Sequence, residues 1–557
     1  MRITYNDKLN KLLNPYLESL LKEKTSLEPE TLTLFDMFME DLDMGGRYGI
    51  FSEILEPRLE EIIREENIES IANLMDGKLH KLFHYMLGDE FAALFRTYLQ
   101  LEARCPHTIG YDRRAQRSTH PSNHLDHARD AWLQFLKLRA TGFSVEAILK
   151  GGNTPEDIEE FSGYMNSSYW LAAQIAQGNE TVIEYLHQVL TSENNANRLQ
   201  RWYLHAIAIS GHRPLLELEG KLLLAAKLQE GLRQAIVETM DEGCPESYLY
   251  LFSIIYHNGL QRFASVKRSI AVCTGIGEQD SSERITNKYV DLIWNFLNHP
   301  EAARNTLQSK DTVELYLALW SIGFYDTDEI RVIVPDIIRK GAKHQIQTLL
   351  YFLRCTQSSQ MNHLISKDAF EVWHDDPKVV AAILPLYMDG LYLSRYSDNK
   401  ETPALSDYFE TPEEAVRQYE YLKQVYQSIS AKETYSPYVF PWDSIILTRS
   451  EVVLKMAYIA WMTNDARLRE ELCEYLPALE SYSRASYIGI VMAHTESKVE
   501  QEYVLQSLGD RSTDIRDEAY KVLSEMSLSP EQYQSIEELL RFKYSEMRIN
   551  AINLLMK

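Results

Sequence analysis

The chain has 557 residues, of which 45% are hydrophobic and 25% are charged, and this balance excludes a chain that is mainly disordered. The net charge of -24 disfavours nonspecific binding of nucleic acid, because an acidic surface repels the phosphate backbone. The five cysteines are widely separated and form no C-x-x-C pair, which argues against a disulfide framework or a zinc knuckle.

Neither an export signal nor a membrane span is expected. The first residues contain no uninterrupted apolar core before a small-residue cleavage site. Nowhere in the chain do about twenty apolar residues follow one another. We therefore predict a cytoplasmic protein without a membrane partner, in a compartment that keeps its cysteines reduced.

Residues 1–144 form the first predicted region, and their apolar residues recur at helical spacing. Leu9, Leu12 and Tyr16 mark the face of the first helix. Hardly any segment of the chain alternates apolar and polar residues over the length of a strand, so little β-sheet is expected. The predicted fold class is all-α.

A histidine-rich loop at residues 105–130 has the most unusual composition of the first region. Pro121 stands where the first turn of a helix would start, with His120 just before it. His124 and His127 would then be neighbours on one face of that helix. Imidazole and thiolate groups are ligands of zinc and other transition metals, so a metal site is one interpretation. Its candidate ligands are Cys105, His107, His120, His124 and His127.

Two other interpretations of this loop stay open. The one we favour is a polar connection between helices, whose histidines cap helix ends or face water. The other is an anion site built from Arg113, Arg114 and Arg117. Apart from the candidate transition metal, no cofactor is predicted.

Residues 145–394 predict a series of helical repeats. Thr154 is a candidate N-cap, with Pro155 as the first helical residue. Between residues 283 and 394 the apolar segments run for about ten to fifteen residues, which favours buried helices over strands. The glycines of 275–282 lack both the spacing of a phosphate-binding loop and a preceding strand, so they predict a turn.

Residues 395–445 predict an acidic, tyrosine-rich insertion. Aromatic residues with a polar edge are typical anchors of protein interfaces, although tyrosine also fills the space between helices. Packing is the interpretation we favour, and an interface is the alternative. The candidate residues for contact with a partner are Tyr419, Tyr426, Tyr435, Tyr438 and Trp442.

Residues 446–557 repeat their own pattern at a fixed interval. The stripe that begins at Asp514 recurs from Glu546, and a proline-containing helix start at 529–532 lies between the two copies. A helix pair repeated in this way predicts a stacked α-solenoid of HEAT-like units. Arg484, Arg516 and Arg548 share this interval. We expect them to pair with acids of the adjacent unit, and a grip on a polyanion is the alternative.

The last helix keeps apolar residues on the face where a solenoid normally carries a polar cap. From this we expect the array to continue into a further domain in the natural protein, or another surface to cover the helix.

The segments 259–275, 288–302 and 539–555 together resemble bacterial proteins grouped around a molybdate-regulation (MolR-like) protein. The resemblance covers residues 200–557. It implies a helical-repeat region followed by a further C-terminal domain, and it supplies no catalytic or ligand-binding residue.

The favoured function is a noncatalytic helical-repeat scaffold that binds a protein partner along a concave surface. It rests on the repeat pattern and on the lack of a recognisable catalytic motif. One alternative is a metal-dependent enzyme or metal-responsive regulator that uses the histidine-rich loop. A second alternative is nucleic-acid binding of the HEAT-like kind, which would require a basic, aromatic-lined groove on an acidic molecule.

Overall fold

The computed structural model describes residues 7–44, 68–104, 132, 135–136, 138–140, 149, 167–192, 199–225, 230–240, 243–276, 286–325, 327–356, 359–396, 402–436, 439–440, 444–541 and 543–557. The chain divides into two compact units. The first comprises Met1–Leu307, Leu317–Thr327 and Cys355–Ser358, and the second comprises Gln308–Tyr316, Asp328–Arg354 and Ser359–Lys557.

Within the described residues almost all regular structure is helical, which confirms the all-α prediction. The earlier helices are α1 (Asp7–Glu23), α2 (Pro29–Met44), α3 (Ile68–Arg104, interrupted at Gly88), α4 (Ser167–Ala176), α5 (Glu180–Thr191), α6 (Arg201–Ser210), α7 (Arg213–Leu224), α8 (Glu230–Met240), α9 (Pro245–His257), α10 (Ala264–Cys273), α11 (Asn287–Asn298) and α12 (Pro300–Thr306). The later helices are α13 (Thr312–Tyr325), α14 (Thr327–Lys340), α15 (Lys343–Thr356), α16 (Ser359–Trp373), α17 (Pro377–Ile383), α18 (Pro412–Ser428), α19 (Arg449–Thr463), α20 (Ala466–Leu472), α21 (Ser481–Val491), α22 (Lys498–Ser507), α23 (Thr513–Glu525), α24 (Pro530–Leu539) and α25 (Ser545–Leu555). Short 3-10 helices lie at Lys24–Ser26, Leu260–Arg262, Leu405–Asp407 and Leu476–Ala478.

Side-chain caps fix the starts of several helices. The Ser529 hydroxyl accepts a hydrogen bond from the backbone N–H of Gln532, and the Gln532 side chain accepts one from the backbone N–H of Ser529. This reciprocal cap confirms the helix start predicted at 529–532. Thr448 and Glu451 form the same cap at the start of α19. Such caps satisfy N–H groups that the first helical turn leaves without partners.

Alternate helices pack side by side in the first unit. One row runs α4, α6, α8, α10, and a second row runs α5, α7, α9, α11. The rows meet through pairs such as α6 with α9, where the side chains of Leu204, Ile207, Leu251 and Ile255 are fully buried. Helices such as α6 and α9 therefore bury apolar side chains against both their own row and the other row.

The second unit repeats this arrangement near its C-terminal end. One row contains α19, α21, α23 and α25, and the other contains α20, α22 and α24. Two short strands precede these rows, β1 (Lys432–Tyr435) and β2 (Ile445–Thr448), and they pair antiparallel with Lys432 opposite Thr448. Because they form the whole β-sheet of the described residues, the expectation of little sheet is confirmed.

The repeated arginines pair with acids one helix pair further along the chain. Arg484 of α21 lies 3.0 Å from the carboxylate of Asp510, just before α23. Arg516 of α23 lies 2.7 Å from Glu546 of α25. For these two arginines the predicted pairing is confirmed, and their guanidinium groups tie successive members of one row together.

Gly243 is expected to resist substitution, because the connection between α8 and α9 runs against the backbone of α6. A Cβ atom at this position would lie 2.6 Å from the Cβ of Ala208 and 2.8 Å from its carbonyl carbon and oxygen. Backbone atoms cannot move aside as a side-chain tip can, so we expect Gly243→Ala to lower the free energy of unfolding by about 1–3 kcal/mol.

The check is urea unfolding followed by circular dichroism, with Gly231→Ala as the matched control. A Cβ at Gly231, in the first turn of α8, would meet no atom within 4 Å. That variant should be neutral or slightly more stable, because alanine is the better helix former. Equal unfolding midpoints for the two variants would show that the close contact at Gly243 does not exist.

Candidate protein-interaction surface

The connecting segment, which we define as residues 384–396, leaves α17 through two unusual backbone conformations. Met388 has a φ of 53° and Gly390 a φ of 85°. A positive φ is uncommon for a residue with a side chain such as methionine, so surrounding contacts must hold this bend in place. The bend directs the rest of the segment towards α19 and α21.

A buried histidine holds the bend. His363 of α16 is 1% exposed, and its Nδ1 accepts a hydrogen bond from the backbone N–H of Met388 at 2.9 Å. Its Nε2 must then carry the proton, which it donates to the carbonyl oxygen of Tyr408 at 2.8 Å. Burial lowers the pKa of His363 to about 4, so the ring is neutral at neutral pH and keeps both bonds.

A tyrosine of α19 fixes the segment further along. The hydroxyl of Tyr458 donates a hydrogen bond to the carbonyl oxygen of Leu391 at 2.9 Å. Burial raises the pKa of Tyr458 to about 12, so the phenol stays protonated and remains a donor. This hydrogen bond to α19 fixes the backbone at Leu391, immediately before Tyr392.

The tyrosine surface consists of Tyr392, Ser394, Arg395, Tyr396 and Tyr482. Its hydroxyl groups are linked, since the Tyr482 oxygen lies 3.2 Å from that of Tyr392 and 2.7 Å from that of Ser394. Tyr392 is nevertheless 68% exposed and Tyr396 is 72% exposed. Hydrogen bonds to Ser394 and Tyr392, together with the charge of Arg395, lower the pKa of Tyr482.

Arg395 joins the connecting segment to α23. Its guanidinium donates hydrogen bonds to the backbone carbonyl and the carboxylate of Asp514, and it lies 3.7 Å from the carboxylate of Glu518. The same guanidinium lies over the rings of Tyr396 and Tyr482, 4.8 and 5.9 Å from their centroids. Only 7% of the Arg395 side chain is exposed, and its positive charge is paired with carboxylates of α23.

Arg395, the cation of this surface, is already paired with acidic side chains. Lys455 of α19 is half-buried, with its ammonium 5.5 Å from the centroid of the Tyr458 ring, and burial lowers its pKa to about 8. Within the described residues no group of three His, Cys, Asp or Glu side chains is placed to hold a metal ion. The surface thus combines hydroxyl groups, exposed aromatic rings and a paired arginine.

The structure separates the tyrosines that the sequence grouped together. Tyr419 is fully buried, and its hydroxyl donates to the carbonyl of Leu468 at 3.4 Å. Tyr426 is half-buried, with its ring 5.0 Å from that of Tyr475. Tyr435 lies half-buried in β1. These three therefore lie in different packing environments, and none of them belongs to the tyrosine surface.

The other predicted site residues lie outside the described part of the chain. They are Tyr438 and Trp442 of the candidate interface and Cys105, His107, His120, His124 and His127 of the candidate metal site.

Sequence reasoning missed the tyrosine surface because its members are distant along the chain. The run Tyr392-Leu393-Ser394-Arg395-Tyr396 does carry a local signal, with two tyrosines flanking an arginine just before the polar stretch. Tyr482 is ninety residues away from Tyr392, and only the folded chain brings the two hydroxyls together.

The fold and this surface define an all-α protein in which helices α4–α11 and α19–α25 pack in alternating rows and in which Tyr392 and Tyr396 are exposed. The chain belongs to a family of unknown function, DUF5724, whose model matches residues 34–557. That description does not mention molybdate regulation, so the MolR-like resemblance stays a prediction. No curated protein and no solved structure shows significant similarity to the chain. In the described part of the chain no helix combines the length and apolarity needed to cross a membrane.

Proposed function

We propose that this chain is a noncatalytic helical-repeat scaffold that binds a protein partner, and that the tyrosine surface is its docking site. The observation that carries the proposal is the exposure of Tyr392 and Tyr396 on a segment whose backbone is fixed by His363 and Tyr458. A partner protein could bury the exposed rings of Tyr392 and Tyr396 against its own surface.

Interface energetics favour this kind of surface. Tyrosine and arginine are enriched among the residues that dominate binding energy, because they combine a wide apolar face with polar groups. Ordering a mobile side chain on binding costs about 0.5–1.5 kcal/mol, and much of that cost is already met where Tyr392 is bonded to Tyr482. A partner would cover both exposed rings without first having to order the segment that carries them.

The scaffold part of the proposal rests on the alternating rows. In each row, a helix packs against the second helix that follows it in the chain. Arg484 and Arg516 form ion pairs with Asp510 and Glu546 between such helices. We propose that the rows are HEAT-like repeats of an α-solenoid, which gains its binding capacity from extended surface rather than from an enclosed pocket.

The test is affinity capture from a lysate of the source cells, with the wild-type chain, Tyr392→Ser/Tyr396→Ser and Tyr544→Ser as baits. Tyr544 is 72% exposed, as Tyr396 is, and it belongs to the same unit but is not one of the residues of the tyrosine surface, which makes it a matched control. We expect a stoichiometric partner with the wild type and the control, and a loss of at least about tenfold with the double variant.

Unfolding curves for all three baits must coincide, because serine at an exposed position should leave the core unchanged. If the double variant retains the same proteins in the same amounts, the docking site is not at this surface.

A further inference from the structure

We propose that the tyrosine surface recognises an arginine-rich segment of its partner, with guanidinium groups stacked on the exposed rings of Tyr392 and Tyr396. This inference rests on the proposed function and specifies the chemistry of the partner. A planar guanidinium suits such a surface, since it can lie flat on a phenol ring while its edge donates hydrogen bonds to a carboxylate.

The surface already contains one contact of this kind. The guanidinium of Arg395 lies over the rings of Tyr396 and Tyr482 while its N–H groups bond to Asp514. An incoming arginine would repeat this combination on the exposed side of the Tyr392 and Tyr396 rings.

Among the described residues that form the tyrosine surface, the one cation that an acidic partner would meet is Arg395, which is already paired. Arg395 is neutralised by Asp514 and lies close to Glu518, and Lys521 bonds to the same Glu518 at 2.7 Å. Lys455 of α19 is half-buried against Tyr458. A carboxylate or phosphate would therefore have to displace an existing pair before it could bind Arg395 or Lys521.

The carboxylates offer more to a basic partner. Asp514 leaves 54% of its side chain exposed although it binds Arg395. Asp517, one helical turn further along α23, is half-exposed and makes no hydrogen bond or ion pair with any residue in the described ranges. The whole chain carries a net charge of -24, so a basic segment is attracted from a distance and steered towards such a surface.

The proposal can be tested by fluorescence anisotropy with three labelled peptides of equal length, in which arginine, lysine or glutamate alternates with glycine. The intact chain should bind the arginine peptide most tightly. Tyr392→Ala/Tyr396→Ala should weaken this binding by about tenfold, Asp517→Asn by a smaller factor, and Tyr544→Ala not at all. Tyr392→Phe/Tyr396→Phe, which keeps the rings, should retain most of the affinity.

If the arginine and lysine peptides bind equally and the tyrosine substitutions have no effect, net charge alone explains the binding, and the proposal is overturned. Binding of the glutamate peptide, or of no peptide, would overturn it as well. If a partner is captured through Tyr392 and Tyr396 while the arginine peptide does not bind there, the docking site stands and this assignment of its ligand fails.

Discussion

Arg469→Met is expected to destabilise the second unit by about 3–5 kcal/mol, because it leaves a buried carboxylate without its countercharge. The side chain of Glu500 is 1% exposed, and its oxygens accept hydrogen bonds from Nε and Nη2 of Arg469 at 2.9 and 2.7 Å. The same guanidinium also bonds to the side chain of Asn464 and the carbonyl of Val491. One substitution therefore removes four hydrogen bonds that join α20 to Asn464, Val491 and Glu500.

Urea unfolding measures this effect, and Lys340→Met provides the control. Lys340 pairs with Asp336 at 3.0 Å, but both side chains are more than 70% exposed, at 76% and 73%. An exposed pair of this kind contributes about 0–1 kcal/mol. The double variant Arg469→Met/Glu500→Met should regain much of the lost stability, because it replaces both charges by apolar groups. A loss for Arg469→Met no larger than that of the control would refute the role assigned to this pair.

Glu219→Leu is expected to stabilise the first unit, and by an amount that grows with pH. Glu219 of α7 is fully buried, and neither of its carboxylate oxygens has a hydrogen-bond partner among the residues that the structure describes. Burial without a partner raises the pKa of this carboxyl well above its usual value, so the folded chain keeps a proton that the unfolded chain has already released.

The sign of the pH dependence follows from that proton. Below the unfolded pKa, the ionisation of Glu219 does not affect the free energy of unfolding. As the pH rises from there towards the folded pKa, the free energy of unfolding of the wild type falls by about 1.4 kcal/mol per pH unit. Leucine removes the titration, so the difference in unfolding free energy between Glu219→Leu and the wild type should widen between about pH 5 and pH 7.

Urea unfolding at several pH values checks this result. Glu219→Gln keeps the shape of the side chain and should flatten the pH dependence in the same way. Glu217→Gln changes a carboxylate on the same helix whose side chain is 49% exposed, and it should leave the wild-type dependence intact. A stability difference for Glu219→Leu that stays constant across the pH range would mean that the carboxyl is not buried as the structure shows.

The features that the sequence predicted well are those whose partners lie at a regular interval or within one helical turn. The cap formed by Ser529 and Gln532 depends on a spacing of three residues, and it is present as expected. The pairing of Arg516 with Glu546 follows from the repeat, because one helix pair places an acid beside the arginine of the preceding pair. Local spacing and repeat length were sufficient in both cases.

The candidate site could not be predicted in the same way, since it depends on contacts without a period. Arg395 stands at the start of a stretch that looks like an acidic insertion, yet it bonds to Asp514 on another helix. Tyr419 is of a residue type that is common in interfaces, but its side chain is buried in the core. Whether a tyrosine is packed or exposed depends on its neighbours in space, and the sequence does not show them.

Site-specific photocrosslinking would show directly whether the tyrosine surface contacts a partner protein. A photoreactive phenylalanine analogue would replace Tyr392 in one sample of the intact chain and Tyr544 in another, and both would be irradiated in lysate of the source cells. We predict a discrete covalent adduct with a partner protein at position 392, carrying basic residues at the point of attachment, and no such adduct at position 544. The absence of an adduct at position 392, or the same products from both positions, would contradict the claim that the tyrosine surface is where this protein docks its partner.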